Sequence, residues 1–274
     1  MTTLQKIVKY LAMAFAIFLS VSIISGICGA LYTAAYYISG HPSGEMTEQS
    51  VGSNYTSLKV DISASELEIK TGEEFAVETN HKNLECKENG EVLEITETKP
   101  FFTVFNSGVK VILTVPQGYV FDYADISTGA GSVRIDELLS NKLNIDLGAG
   151  ELNAKRLDAL FSAEIDGGAG SVTINGGKLN NADIDMGVGE FNLTSELTGK
   201  SSIDYGVGET NLVLIGTADD YRIELDKGIG EATLDGSKMG DDSVYGAGNN
   251  TIEIDGGVGE LKIIFKAKLD EESI

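Results

Sequence analysis

Carboxylates recur at fixed positions around a glycine motif, and carboxylates can hold a metal ion or act as an acid and a base. The motif has the form Ile-Asp-x-Gly-x-Gly-Glu, as in IDLGAGEL (145–152) and IDYGVGET (203–210). An aspartate precedes the glycines in six of the seven copies, and a glutamate follows them in most. The candidate site residues are therefore Asp146, Asp166, Asp185, Asp204, Asp226 and Asp255, with Glu151, Glu190, Glu209, Glu231 and Glu260.

The glycines do not fit the common ligand-binding loops. A dinucleotide fingerprint needs a third glycine three residues on and a following helix, whereas here segments such as ELNA (151–154) alternate like strands. A P-loop needs Gly-Lys-Ser/Thr, which follows none of these glycines. The calcium-binding nonapeptide needs an aspartate where GGAGSVTIN (167–175) has Val172. The sequence excludes all three loop types.

Catalysis by paired carboxylates is not expected either. A carboxylate pair in an enzyme needs two members made different by their surroundings, and the repeat places its acids in near-identical surroundings. His41 lies in a predicted stalk, and His81 has no recognisable serine or cysteine partner in the sequence. We expect no enzymatic activity and no cofactor, with bound calcium as the one alternative.

The spacing of the motif indicates a structural repeat. The first glycine of each Gly-x-Gly falls at 129, 148, 168, 187, 206, 228 and 257, in steps of 19, 20, 19, 19, 22 and 29 residues. An upstream stretch, VDISASELEIK (60–70), aligns with IDLGAGELNAK (145–155), although Ser63-Ala64-Ser65 replace the glycines. Because this copy keeps the frame without glycine, we interpret the glycines as residues that ease a bend.

Each unit predicts two short strands joined at Gly-x-Gly. Leu143, Ile145 and Leu147 alternate with polar residues, and Leu152 and Ala154 continue the alternation after the glycines, which is typical of half-buried strands. The chain is therefore predicted to be all-β, and near-constant unit length favours a β-solenoid (β-helix-like) with coils of about 20 residues. An antiparallel meander, in which each Gly-x-Gly closes a hairpin, is the alternative.

In a solenoid the repeated acids would form columns about 5 Å apart. Like charges opposite one another are destabilising, and divalent ions with oxygen ligands could bridge them. Two interpretations stay open for the columns: a calcium site and a solvated acidic face.

The N-terminal segment predicts a membrane anchor. No charged residue occurs from Tyr10 to Gly40, so residues 10–38 are long enough for one transmembrane helix. Lys6 and Lys9 precede this run, which puts residues 1–9 in the cytoplasm and the C-terminal domain outside the cell. An uncleaved signal anchor is favoured over a cleaved signal peptide, whose apolar core would be shorter.

The remaining chain is strongly acidic. Residues 45–274 hold all 42 acidic residues and 18 of the 20 basic ones, a formal charge of −24, so nucleic-acid binding is not expected. Cys28 falls in the predicted helix, which leaves Cys86 without an internal disulfide partner. The predicted divisions after the anchor are a flexible stalk (39–54), an N-terminal β region and solenoid cap that includes KPFFTVF (55–118), the repeat solenoid (119–268) and an acidic tail (269–274).

Three segments together resemble a known bacterial family: KIVKYLAMAFAIFLSVSIISG near the N-terminus, VILTVPQG (111–118) and the Ile-Asp-x-Gly-x-Gly-Glu repeats. The chain is similar to membrane-anchored candidate adhesins with β-strand repeats, a family without an established function, found largely in Gram-positive bacteria. The resemblance implies a cell-surface, non-enzymatic adhesion or binding module whose partner is an extracellular protein or glycan. The alternative is a cell-envelope stress or signalling component that acts through membrane partners.

Overall fold

The computed structural model describes residues 45–63, 65–81, 83–97 and 109–268. Within those ranges no helix has the length and apolar character needed to span a membrane. The predicted cytoplasmic tail, the 10–38 anchor, KPFFTVF (99–105) and the acidic tail lie outside the described residues.

The described chain is all-β, as predicted, with a single short 3-10 turn at Ala218–Asp220. Its strands are β1 Thr47–Gln49, β2 Ser57–Ile62, β3 Glu66–Gly72, β4 Ala76–Thr79, β5 Leu84–Asn89, β6 Val92–Glu97, β7 Lys110–Pro116, β8 Val120–Ile135, β9 Leu138–Ala154, β10 Leu157–Ile174, β11 Gly177–Asn180, β12 Ala182–Thr198, β13 Lys200–Ile215, β14 Tyr221–Asp226, β15 Ile229–Leu234, β16 Ser237–Lys238, β17 Ser243–Gly246 and β18 Asn250–Lys266.

The repeats stack in parallel and in register, which is the arrangement of a solenoid. Ile145 of β9 pairs with Ile126 of β8 on one side and with Ile165 of β10 on the other. The same pairing continues through Ile184 and Ile203. Six of the seven Gly-x-Gly corners therefore lie within one continuous strand, and the seventh, at 228–230, lies where β14 gives way to β15. None of them closes a hairpin, so the meander alternative is wrong.

The middle coils have three sides. In the coil 138–154, a third face (138–140) leads into the first face (143–147), and the Gly148–Gly150 corner leads into the second face (151–154). We use these three names for the equivalent segments of every coil. On each face alternate side chains point into the core, so Leu143, Ile145, Leu147, Leu152 and Ala154 are buried, as the sequence predicted.

One aliphatic column runs the full length of the stack on the first face. Its members pair level by level and are at most 2 % exposed; in spatial order they are Ile95, Val60, Ile126, Ile145, Ile165, Ile184, Ile203, Ile254 and Leu225. Burying each such side chain contributes about 1.5–3 kcal/mol. Because each member needs an apolar neighbour above and below, the column explains why the repeat keeps Ile at this position.

The order of coils in space departs from the order in the chain at both ends. The last coil, β18, lies between β13 and the β14–β15 coil, since it pairs in parallel with all three strands. At the other end, β2 and β3 lie between the β6–β7 coil and β8. The same stack therefore continues upstream of residue 119, and the disguised copy at 60–70 is one of its levels.

Short antiparallel strands cover both ends of the stack. At the N-terminal end β5 pairs with β6, while β4 pairs with β7 and with β1. At the other end β17 pairs with β14, and β16 with β15. Such strands satisfy backbone groups that an open sheet edge would offer to another chain. Strand β1 (Thr47–Gln49) lies within the predicted 39–54 stalk.

An aromatic cluster, which the sequence did not predict, lies at the N-terminal end of the core. The ring of Phe75 lies 4.9 Å from that of Tyr119 and 5.1 Å from that of Tyr55, both edge-to-face. Tyr119 in turn lies 5.1 Å from Phe121. These rings belong to residues just before β2, just after β3 and around the start of β8, so they pack together inside the outermost β6–β7 coil and add aromatic contacts to this end of the core.

Candidate functional site: an acidic face

The predicted aspartates form one continuous column on the first face. Each pairs in register with the next, in the spatial order Asp146, Asp166, Asp185, Asp204, Asp255 and Asp226. Adjacent strands lie about 4.8 Å apart, so neighbouring carboxylates are within direct electrostatic range. The inversion of the last two members follows from the insertion of β18 between β13 and β14.

A second acidic column, which sequence reasoning missed, runs beside the first. It lies two residues earlier in each strand, on the other side of the buried aliphatic column, and consists of Asp125, Asn144, Glu164, Asp183, Ser202, Glu253 and Glu224. The signal was available, because period-two alternation places residues i and i+2 on the same face. Its members vary in type, and a search for identical residues therefore passes over them.

The predicted glutamates lie on the far side of the glycine corner, on the second face. They pair in the order Glu151, Ser171, Glu190, Glu209, Glu260 and Glu231, so Ser171 interrupts the column. Lys262 Nζ lies 2.9 Å from Glu209 and 3.6 Å from Glu260, and Lys238 Nζ lies 2.9 Å from Glu231. This column is partly neutralised by lysines, whereas no such lysine pairs with the aspartate column in the described residues. The structure thus divides the predicted acids between two faces.

Crowding of carboxylates changes the proton affinity at the middle of the aspartate column. Partial burial and the charges of Asp185 and Glu164 raise the pKa of Asp166. Partial burial, a hydrogen bond with Asp185 and the charges of Asp185 and Asp255 raise the pKa of Asp204 to about 6. The acids are therefore not equivalent, in contrast to the expectation from their repetition.

We predict that Asp204→Asn makes the protein more stable near neutral pH. A carboxyl whose folded-state pKa lies above its unfolded value opposes folding once it ionises, so the cost grows as pH rises from about 4 to 6. Because solvent and salt screen an exposed group, we expect a gain of only about 0.5 kcal/mol at pH 7 and low salt.

Thermal melts from pH 3.5 to 7.5 test this prediction, with Asp219→Asn in the 218–220 turn as the control that removes one charge elsewhere. The gain of Asp204→Asn should vanish below about pH 4, where both states hold the proton. A gain that is constant across this pH range would contradict the crowded-column explanation.

The Asp185–Asp204 pair lacks the setting that acid–base catalysis needs. A shared proton between two carboxylates is the state of some catalytic dyads. Both side chains, however, are exposed on an open sheet face, and such catalysis depends on a site that keeps substrate out of water.

The aspartate column ends at a shallow groove of about 400 Å³. Carboxylates from two strands and one loop line it, together with the exposed Val244: Glu224, Asp226, Asp242, Glu253 and Asp255. Ligand atoms of Asp226, Asp241 and Asp242 lie within 4.8 Å of one another, and all three residues are exposed. Oxygen ligands at this spacing suit calcium, so a calcium site along the column stays a prediction.

The two other reactive side chains of the described region have structural contacts. His81 is buried; its Nδ1 accepts a hydrogen bond from the Asn83 amide, and its Nε2 lies 3.4 Å from Glu97 Oε1. Burial raises the pKa of the Cys86 thiol to about 11, so little thiolate forms near neutral pH.

Comparison with solved structures finds distant likenesses. They are a candidate cell-adhesion protein from Clostridium sporogenes (19 % identity, TM-score 0.35) and candidate adhesins from Bacteroides fragilis (13 %, 0.38) and Parabacteroides distasonis (14 %, 0.40). They cover 81 %, 81 % and 82 % of this chain and 99 %, 98 % and 98 % of their own. Likenesses this distant carry no argument about what this chain binds.

The family comparison is decisive. No curated protein matches the chain. The model of the Toastrack DUF4097 family matches residues 55–254, which include β2 to β17 and the start of β18. This match covers well over half of the chain and confirms the family relationship predicted from the repeats. The chain belongs to the Toastrack DUF4097 family.

Proposed function

We propose that this protein is a non-enzymatic binding module, held at the bacterial cell surface by residues 10–38 and binding through its acidic first face. One observation carries the proposal: in-register stacking lines up the carboxylates of six successive coils, from Asp146 to Asp226, on one open face. A scaffold that repeats one charged group at a fixed step suits many weak contacts with an extended partner.

The chemistry of the face selects a cationic partner. Ionised carboxylates only accept hydrogen bonds, whereas lysine and arginine only donate them. The domain charge of −24 draws such a partner in from solution and repels anionic ones.

The second face offers a natural contrast. Its outward column includes Asn153, Thr173, Asn192 and Asn211, which pair level by level, and Asn211 Nδ2 donates to Asn192 Oδ1 at 2.9 Å. Asn192 and Asn211 also donate to Glu190 and Glu209 at 2.8 and 3.2 Å, so these neutral side chains supply donors to the glutamates beside them. The first face therefore holds most of the unneutralised charge of the coils, which is why we place binding there.

The test uses the whole chain in mild detergent and arrays of cell-wall glycans, matrix proteins and lysine-rich polypeptides. We expect binding to the cationic members. The variant Asp166→Asn/Asp185→Asn/Asp204→Asn should weaken it about tenfold at low salt, or about 1.4 kcal/mol, and added salt should weaken wild-type binding further.

A matched control removes the same charge at the N-terminal end of the stack. Glu73→Gln/Glu74→Gln/Glu78→Gln changes three exposed glutamates outside the first-face columns and should leave the affinity within about twofold. If both triple variants lost the same affinity, binding would depend on net charge alone, and the proposed site would be contradicted. Absence of binding to every cationic probe would contradict the proposed function.

A further inference from the structure

One coil of the stack contains an extra residue that pushes two apolar side chains into solvent. Between β9 and β10 the pairing runs from Ala159↔Ser140 to Ser162↔Lys142, so Leu160 and Phe161 stand opposite the single residue Asn141. The next coil is also one residue shorter at this corner, since Ala159 pairs with Leu179 and Ala163 with Ala182. We call Leu160–Phe161 the 160–161 bulge.

The bulge presents a large apolar surface. Leu160 is 50 % exposed and Phe161 is 59 % exposed. The corner residues of the neighbouring coils are polar, namely Asp122, Asn141, Asn180 and Asn181. A soluble surface tolerates single exposed apolar residues, but an adjacent leucine and phenylalanine on an inserted residue are a feature of interaction sites.

The bulge is held rigidly by the next coil. Asn180 Nδ2 donates to the Leu160 carbonyl at 3.0 Å, and Asn181 Nδ2 donates to the Phe161 carbonyl at 2.9 Å. The backbone at Asn181 is left-handed, with φ of 47°, and its own amide donates to the Thr198 carbonyl at 2.9 Å. The two carbonyls that the bulge removes from the sheet ladder are thus satisfied, and Phe161 is preorganised for contact.

Acidic groups flank the bulge on the first face. Tyr123, which is 41 % exposed, lies two coils away, or about 10 Å. Partial burial and the charges of Asp125 and Glu164 raise the pKa of the Tyr123 hydroxyl, which places both acids near it. An apolar anchor thus adjoins the second acidic column.

The hydrogen-bonding groups around the bulge favour a cationic partner over a glycan. One N–H of each of Asn180 and Asn181 is used by the bulge, and one N–H of each of Asn141 and Asn144 is used by Asp122 and Asp125 at 2.8 and 2.9 Å. The ionised acids of the second acidic column beside the bulge, among them Glu164 and Asp183, offer only acceptors, whereas a sugar hydroxyl needs donors as well as acceptors. A second copy of this chain is disfavoured by its own charge of −24.

We propose that the 160–161 bulge is the anchor for a protein segment that carries apolar side chains among lysines or arginines. Phe161 and Leu160 would contact the apolar side chains, while the adjacent acidic columns pair with the cations. This inference rests on the proposed binding function and adds the class of partner and the residues that anchor it.

The experiment measures binding of the whole chain, in mild detergent, to three peptides of equal length: alternating lysine and phenylalanine, lysine alone, and alternating serine and phenylalanine. We expect the lysine–phenylalanine peptide to bind at least about tenfold more tightly than lysine alone, and the serine–phenylalanine peptide to bind weakly. Phe161→Ser should abolish this preference and leave the affinity for the lysine peptide unchanged.

Three further variants test whether the preference for the lysine–phenylalanine peptide depends on the bulge itself. Ile264→Ser, at a residue 45 % exposed just beyond the second face of β18, is the control and should keep the preference. Asn181→Gly retains the left-handed backbone but removes the side-chain hydrogen bond, so the preference should fall. Lys142→Gln removes the cation between Tyr123 and Ser162 in the pairing and should strengthen binding of both lysine-containing peptides.

The outcomes distinguish this inference from the proposed function. If both lysine peptides bind equally to wild type and Phe161→Ser has no effect, the bulge is not an anchor, although the acidic face still binds cations. If the affinity for a neutral glycan, or a dimer of the chain, is lost in Phe161→Ser, the bulge serves a different partner and the inference is overturned. If no peptide binds, the proposed function and this inference both fail.

Discussion

Replacing Gly189 with alanine is expected to lower the stability of the protein by about 3 kcal/mol or more. Gly189 is the second glycine of its Gly-x-Gly corner and has φ of 144°. A Cβ atom built there would lie 1.7 Å from the carbonyl oxygen of Gly170 in the adjacent coil. Because that oxygen belongs to the backbone, the two coils would have to separate and lose hydrogen bonds.

A thermal melt of Gly189→Ala beside Gly236→Ala measures this effect. Gly236 also has a positive φ, of 77°, but a Cβ there would meet nothing within 4 Å, so its replacement costs only the backbone strain of about 1–2 kcal/mol. A larger loss for Gly189→Ala isolates the contribution of coil stacking. Equal losses for the two variants would contradict close stacking at the corner.

The glycine corner was only half understood from the sequence. Its bend was predicted, but the need for glycine comes mainly from the neighbouring coil, whose backbone leaves no room for a Cβ. That constraint is a tertiary contact and leaves no signature within a single repeat.

The alternation of residues and the repeat length predicted the buried side chains and the aspartate column. Alternation around Ile145 gave the buried side chains, because strand geometry points residues i and i+2 to the same face. Equal repeat length gave the aspartate column, because only stacking brings Asp146 and Asp166 together. The 160–161 bulge also follows from repeat length. One coil has an extra residue, which is visible in the sequence as the single 20-residue step among steps of 19.

The order of coils at the two ends could not be predicted in this way. Each repeat offers the same apolar face, so β13 accepts β14 or β18 equally well by pattern alone. The 29-residue step before the last glycine pair indicates a long connection without saying where it leads. This connection contains β16 and β17, which pair antiparallel with β15 and β14 and cover the outermost coil. Because the outer side of the β14–β15 coil is covered in this way, β18 takes the position between that coil and β13.

The second prediction with a large effect concerns this inverted order. Asp204 pairs directly with Asp255, and Asp255 with Asp226, so Asp204 and Asp226 are two coils apart. Neighbouring coils lie about 4.8 Å apart and alternate coils about 10 Å, while a disulfide needs Cα atoms within about 7 Å. Cysteines at 204 and 255 should therefore form a bond, and cysteines at 204 and 226 should not.

The yield of these disulfides is the most direct test of the stack that presents the acidic face. In a chain carrying Cys28→Ser and Cys86→Ser, we predict near-complete oxidation for Asp204→Cys/Asp255→Cys and for the positive control Asp226→Cys/Asp255→Cys, read as mobility shifts on non-reducing gels. Almost none is expected for Asp204→Cys/Asp226→Cys. A bond between 204 and 226 without one between 204 and 255 would mean that coils stack in chain order, and would contradict the column described here.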